Sequence, residues 1–115
     1  MVVIYGIPNC DTMKKARKWL DARGVEYRFH DFKKQGLERE VLLEWVKKVG
    51  WKTLLNRRGM MWRKLSDEAK ANIDEASAIE VMLETPTIIK RPVVIDGGEV
   101  IVGFQSLALR FHKYI

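Results

Sequence analysis

The chain has 115 residues, 47% of them hydrophobic and 31% charged. That is the size and mix of one soluble globular domain, and it excludes a fibrous repeat or a disordered tail. No apolar run nears the roughly 18 residues that span a bilayer, and Met1–Tyr5 lacks the basic start of a secretory signal. A formal charge of +6 favours an anionic partner. There is one cysteine, so no internal disulfide can form and a reducing cytoplasm is the expected compartment. One Cys and two distant His residues supply no familiar zinc ligand set.

Val2–Tyr5 is a short β-branched run ending at Gly6 and Pro8, the pattern of a buried strand. A helix is predicted from Cys10 or Asp11 to about Arg23. Met13, Ala16 and Leu20 form its inner face, Lys14, Lys15, Arg17 and Lys18 its outer faces, and Gly24 its stop. Val25–His30 reads as a second strand, followed by a loop over Lys33–Gly36. Leu37–Val49 has helical spacing and stops at Gly50, and Trp51–Leu55 reads as a short helix. Ser66 marks a further helix start, and Ser77 with Glu80 fits a capping box. Val93–Ile95 and Val100–Val102 flank Asp96-Gly97-Gly98, a hairpin signal. A last helix is predicted from Ser106 to about Tyr114. Two early strands joined by a helix imply a parallel pair, and the hairpin adds an antiparallel edge. The expectation is an α/β fold: a four-stranded mixed sheet with helices on both faces and a helical insert.

The chemistry concentrates in Gly6-Ile7-Pro8-Asn9-Cys10-Asp11-Thr12, where the only thiol sits between a strand and a helix. Unpaired N–H groups and the helix dipole favour an anion there, and such positions lower a thiol pKa from about 8.5 toward 3.5–7.5. Lys14, one turn on, adds positive charge, and Thr12 serves either the helix start or a hydrogen bond to the thiolate. The alternative is a small buried hydrophobe. Pro92, just before a buried strand, cannot donate to a ladder and belongs at the strand's start; either peptide isomer is open to it. Arg91 is a surface charge or an anion clamp, and Arg58, in the corner Arg57-Arg58-Gly59, has the same two readings. The tryptophans read as packing, and His30 and His112 as solvated.

Ile4–Thr12, Leu54–Gly59, Trp62–Leu65 and Ile89–Pro92 together resemble the arsenate reductase/Spx family, closest to its YffB branch, over nearly the whole chain. The resemblance implies a thioredoxin-like part at about 1–33 and 86–115, with a helical insert at about 34–85. It implies that Pro92 is the cis-proline facing the active cysteine, that Cys10 is the nucleophile, that Arg91 matches an anion-binding arginine, and that Arg58 matches the arginine at the corresponding place in the YffB and Spx branches. The chain departs from the pattern at Gly6, where the arsenate reductases carry a histidine, and at Asn56 and Phe104, which take the places of two arginines. It departs again at Met13, where Spx regulators commonly carry a second cysteine.

The function expected is a glutathione-dependent thiol–disulfide reductase. One cysteine can attack a disulfide but needs an external thiol to finish the cycle. Glutathione would be a co-substrate rather than a bound cofactor, its carboxylates suiting basic residues. The alternatives are an arsenate reductase drawing on glutathione and an Spx-like regulator that binds RNA polymerase. A glutathionylated thiol or a glutaredoxin are further expected partners. Nucleic acid ranks last, because no aromatic residues interleave with the basic runs. Nothing marks a dimer seam, so a monomer is expected.

Overall fold

A computed structural model describes residues 1–112 of the chain. The elements run β1 (Val2–Gly6), α1 (Asp11–Ala22), β2 (Tyr27–Asp31), α2 (Phe32–Gln35), α3 (Arg39–Val49), α4 (Trp51–Leu54), α5 (Met60–Arg63), α6 (Asp67–Ala71) and α7 (Glu75–Glu84). A 3-10 turn (Pro86–Ile88), β3 (Val93–Asp96), β4 (Glu99–Val102) and α8 (Phe104–Phe111) complete the order. They form two compact units. One is Met1–Gln35 with the residues from Arg91 onward; the other is Gly36–Lys90.

The first unit is built on a mixed sheet in the order β2-β1-β3-β4. β1 is central, parallel to β2 and antiparallel to β3, which pairs antiparallel with β4. Ile4, Met13, Ala16, Leu20, Val94 and Leu107 are fully buried in one cluster with Val2 and Phe111. Burial of each large aliphatic side chain is worth ~1.5–3 kcal/mol. The cluster joins the two long helices of this unit, α1 and α8, on one face of the sheet, and Phe32 of α2 stands against Tyr5 of β1. Gly97 and Gly98 have φ of 57° and 84°, the left-handed pair a two-residue hairpin requires. Arg110 of α8 braces that hairpin, with Nε donating to Asp96 (3.1 Å) and Nη1 to Glu99 (2.8 Å).

Three expectations are corrected here. Lys33–Gln35 is not loop but belongs to α2, because the Asp31 carboxylate accepts from the Lys33 N–H (2.9 Å) and caps a turn. α8 begins at Phe104 rather than Ser106, since Gly103, at φ 90°, serves as its N-cap and its carbonyl accepts from Leu107 N–H at 3.1 Å; Tyr114 lies outside the described residues. His30 is not simply solvated: its ring centroid stands 4.5 Å from that of Tyr5.

The second unit is helical. Leu42, Trp45 and Val46 of α3 and Ala78, Ile79 and Met82 of α7 are buried, and Leu54, Leu55, Ile88 and Ile89 are nearly or wholly so. The segment before Arg91 is tied in by backbone bonds from Asn56 N–H to Ile88 O (2.9 Å) and from Lys90 N–H to Leu54 O (2.8 Å). The unit therefore runs to Lys90 rather than ending near 85. Ser66 caps α6, its hydroxyl accepting from Ala69 N–H at 3.1 Å. The expected box of Ser77 with Glu80 is displaced by one turn. Asp74 is the N-cap and Ser77 its reciprocal partner, because an acceptor must stand at the last extended residue to reach the N3 donor. Glu80 instead forks onto Arg39 at 2.6 and 2.9 Å. That pair holds the Glu80 carboxyl below and the Arg39 guanidinium above their ordinary ranges. Hydrogen bonds from the Ser77 N–H and hydroxyl hold Asp74 low in the same way.

Candidate functional site

β1 ends at Gly6, and the chain crosses Ile7-Pro8-Asn9 to Cys10, the N-cap of α1. Cys10 is extended (φ −135°, ψ 126°), and its carbonyl accepts the helix bond from Lys14 N–H at 2.9 Å. Its side chain makes no capping bond. The residue is half-buried, one flank on the apolar cluster under the sheet. A sulfur in this position borders the core and still reaches solvent, beside N–H groups that have no earlier turn to bond to.

The antiparallel register pairs Tyr5 with Val93. The end of β1, which leads to Cys10, therefore meets the start of β3, which Arg91-Pro92 precedes. Pro92 is buried, the Arg91–Pro92 peptide is cis, and the Pro92 carbonyl accepts from Gly103 N–H at 2.8 Å. The sheet thus brings Cys10, Arg91 and Pro92 to one edge although they lie near opposite ends of the chain.

Thr12 is exposed at the second position of α1. Lys14 is exposed too, and its side chain lines the outer face of the helix with Lys15 and Lys18. Arg58 belongs to the helical unit. It is exposed on a turn in which Asn56 Oδ1 accepts from Arg58 N–H at 3.1 Å. Gly59 leaves room for the Asn56 amide, whose Nδ2 would lie 2.8 Å from a Cβ at that position. The neighbouring Arg57 has a different fate. Its guanidinium lies 5.3 Å from the Trp51 ring and 5.7 Å from the Trp62 ring, distances at which cation–π attraction operates.

Sequence reasoning missed the contact between Gly6 and Met13. Gly6 is buried, and a Cβ on it would lie 2.7 Å from Met13 Cε and closer still to Sδ. The Met13 thioether is laid across the end of β1, so β1 approaches α1 only because residue 6 has no side chain. The available signal is a glycine ending a buried strand, seven residues before a methionine on the buried face of the next helix. Among the described residues no cluster of His, Cys, Asp or Glu could hold a metal ion, and no helix is long and apolar enough to cross a membrane.

A model of the ArsC family matches residues 5–110. A solved YffB protein superposes with a TM-score of 0.91 at 50% identity, over 99% of this chain and 98% of that one. An arsenate reductase related protein from Brucella melitensis gives 0.81 and 48%, over 99% and 95%. Among curated proteins, an uncharacterized protein of Haemophilus influenzae is 40% identical over 92% of this chain and 93% of its own. A global transcriptional regulator Spx of Streptococcus agalactiae is 25% identical over 96% and 81%.

Proposed function

Because the chain belongs to the ArsC family, we propose that it is a thiol–disulfide reductase that works through Cys10 with glutathione as co-substrate. The observation that carries this reading is the placement of the single cysteine, at a helix N-cap on the sheet edge shared with Arg91-Pro92. The Cys10 thiolate attacks the glutathione sulfur of a mixed disulfide. A bond forms between Cys10 Sγ and glutathione, the original S–S bond breaks, and the substrate sulfur leaves with the electron pair and takes up a proton. A second glutathione thiolate then attacks the glutathione sulfur of the protein mixed disulfide. Oxidised glutathione departs, and Cys10 is again a thiolate. The substrate thiol is freed, and one free glutathione is consumed, leaving as oxidised glutathione together with the glutathione that the mixed disulfide carried.

Each neighbouring residue has a role. Backbone groups at Arg91 pair with the peptide part of glutathione as an added strand. The Arg91 guanidinium and the Lys14 ammonium hold its carboxylates, and the Thr12 hydroxyl donates to the thiolate. Arg58 is assigned anion binding on its own turn. Turnover of a glutathionylated peptide with excess glutathione tests the reading. Cys10→Ser lowers kcat by ~10³-fold or more, as loss of a covalent nucleophile does. Arg91→Ala raises KM by ~10-fold with kcat little changed, the loss of one charge-assisted bond. Full turnover by Cys10→Ser refutes it.

The Spx relative supports a second reading, a regulator that binds RNA polymerase. Retention of polymerase subunits by a Cys10→Ala variant, together with no turnover by the wild type, favours that reading instead.

A further inference from the structure

The outer side of α1 carries a groove of about 520 Å³ that begins at Asp11, the residue after Cys10. Trp19 and Ala22 contribute its apolar surface, and Lys14, Lys15, Lys18 and Arg23 ring it. Four cations thus face one carboxylate, that of Asp11. Among the described residues, the ion pairs Arg39–Glu80, Lys48–Glu44, and Arg110 with Asp96 and Glu99 lie elsewhere. Among the described residues, none of the four groove cations is within ion-pair distance of a carboxylate. Two of them rest on rings, Lys15 Nζ 4.5 Å from the Phe104 centroid and the Arg23 guanidinium 3.4 Å from that of Trp19. Arg23 Nε is buried with no hydrogen-bond partner, although a buried charged donor ordinarily has one.

We propose that this groove docks an acidic polypeptide segment bearing an apolar side chain, so that the preferred disulfide substrate is an acidic glutathionylated protein rather than a small disulfide. The substrate class rests on the reductase reading above; the docking does not. The cations supply the charge complement, and the Trp19–Ala22 surface supplies contact for one apolar side chain. α1 has 12 residues and extends ~18 Å at about 1.5 Å per residue. A polypeptide with its disulfide at Cys10 has room to run along it. A single-stranded nucleic acid fits less well. Such ligands stack bases on open aromatic faces, whereas one face of Trp19 is covered by Arg23 and its ring meets Phe104 edge-on at 88°.

Binding is tested with fully reduced wild-type protein, which separates docking from turnover. Two labelled 12-residue peptides are compared by fluorescence anisotropy, one with Asp and Glu around a leucine and one with Asn and Gln in their place. The acidic peptide binds about tenfold more tightly, the summed effect of several exposed ion pairs, and the preference fades with added salt. Lys15→Glu/Lys18→Glu abolishes the preference, Lys15→Gln/Lys18→Gln removes part of it, and Lys47→Glu on α3 leaves it unchanged. Equal binding of the two peptides overturns the proposal. So does a preference that survives the Lys15→Glu/Lys18→Glu change, or tighter binding of an oligonucleotide of equal charge. Docking of the acidic peptide without turnover of its glutathionylated form refutes the reductase reading and leaves the groove assignment standing.

Discussion

In the helical unit, two cations of α3 are matched to acids. Arg39 of α3 forks onto Glu80 of α7, and Lys48 lies 3.6 Å from Glu44 one turn away. In the sheet unit, Arg110 plays that bracing part for the hairpin, while Lys14, Lys15, Lys18 and Arg23 have no carboxylate partner among the described residues. Isolated exposed ion pairs contribute little to folding, so the contrast bears on what the charges face. Arg39 ties α3 to α7 and Lys48 pairs within α3, whereas the lysines of α1 point outward beside the only thiol. The same contrast appears in miniature at Arg57 and Arg58, neighbours of which one lies against two tryptophans and the other stands in solvent.

Perturbing each unit sharpens this division. The largest effect is expected from the packing under Cys10. Met13 is fully buried, and Met13→Ala costs ~2–5 kcal/mol by transfer and cavity effects, read from the denaturation midpoint. Gly6→Ala places a Cβ against the same thioether and costs ~1–3 kcal/mol as overpacking. In a Met13→Ala background that added cost falls toward zero, and an unchanged cost breaks the proposed contact. In the helical unit, Arg57→Ala loses two cation–π contacts worth ~1 kcal/mol together. Arg58→Ala stays within ~0.5 kcal/mol, as an exposed substitution does. Equal losses at the two positions contradict the division of roles.

The smallest effect is expected from acid. Asp74 and Glu80 have folded-state pKa values lowered by Ser77 and Arg39. Their contribution is complete above the ordinary carboxylate pKa and is lost as pH falls through the lowered folded-state value. Asp74→Asn and Glu80→Gln each flatten the acid limb of a stability-versus-pH curve. Added salt weakens the Glu80 contribution more than that of Asp74, whose partners are hydrogen-bond donors rather than a charge.

Much of this architecture was legible beforehand, for local reasons. The three-and-four spacing of Met13, Ala16 and Leu20 requires one buried helix face, and all three are fully buried. Asp96-Gly97-Gly98 between β-branched runs requires a tight hairpin, because only residues tolerant of positive φ close it. Caps were harder. Ser77 and Glu80 have the right spacing for a box and are the reading the sequence suggests, but Asp74 stands three residues ahead of Ser77 with the same spacing and takes the cap. The sequence sets the start of α8 at Ser106 because serine is a preferred N-cap, whereas Gly103 holds that place in the fold. The position of Cys10 at a strand–helix junction could be read from the chain. That Met13 fills the space over Gly6 could not, since it depends on how closely α1 approaches β1.

The sequence by itself determined the strands and the long helices, the faces they bury and the solitary thiol at the head of a helix. Hydrophobic period, glycine at positive φ and N-terminal capping act within a few residues of the chain. Only the tertiary structure decided which distant groups share an edge and which charges go without a partner. Those outcomes depend on strand pairing and on the approach of surfaces far apart in the chain, where no local rule operates. The register of β1 on β3 sets Arg91-Pro92 on the edge that carries Cys10, and Arg23 packs on the Trp19 ring beside the lysines of α1.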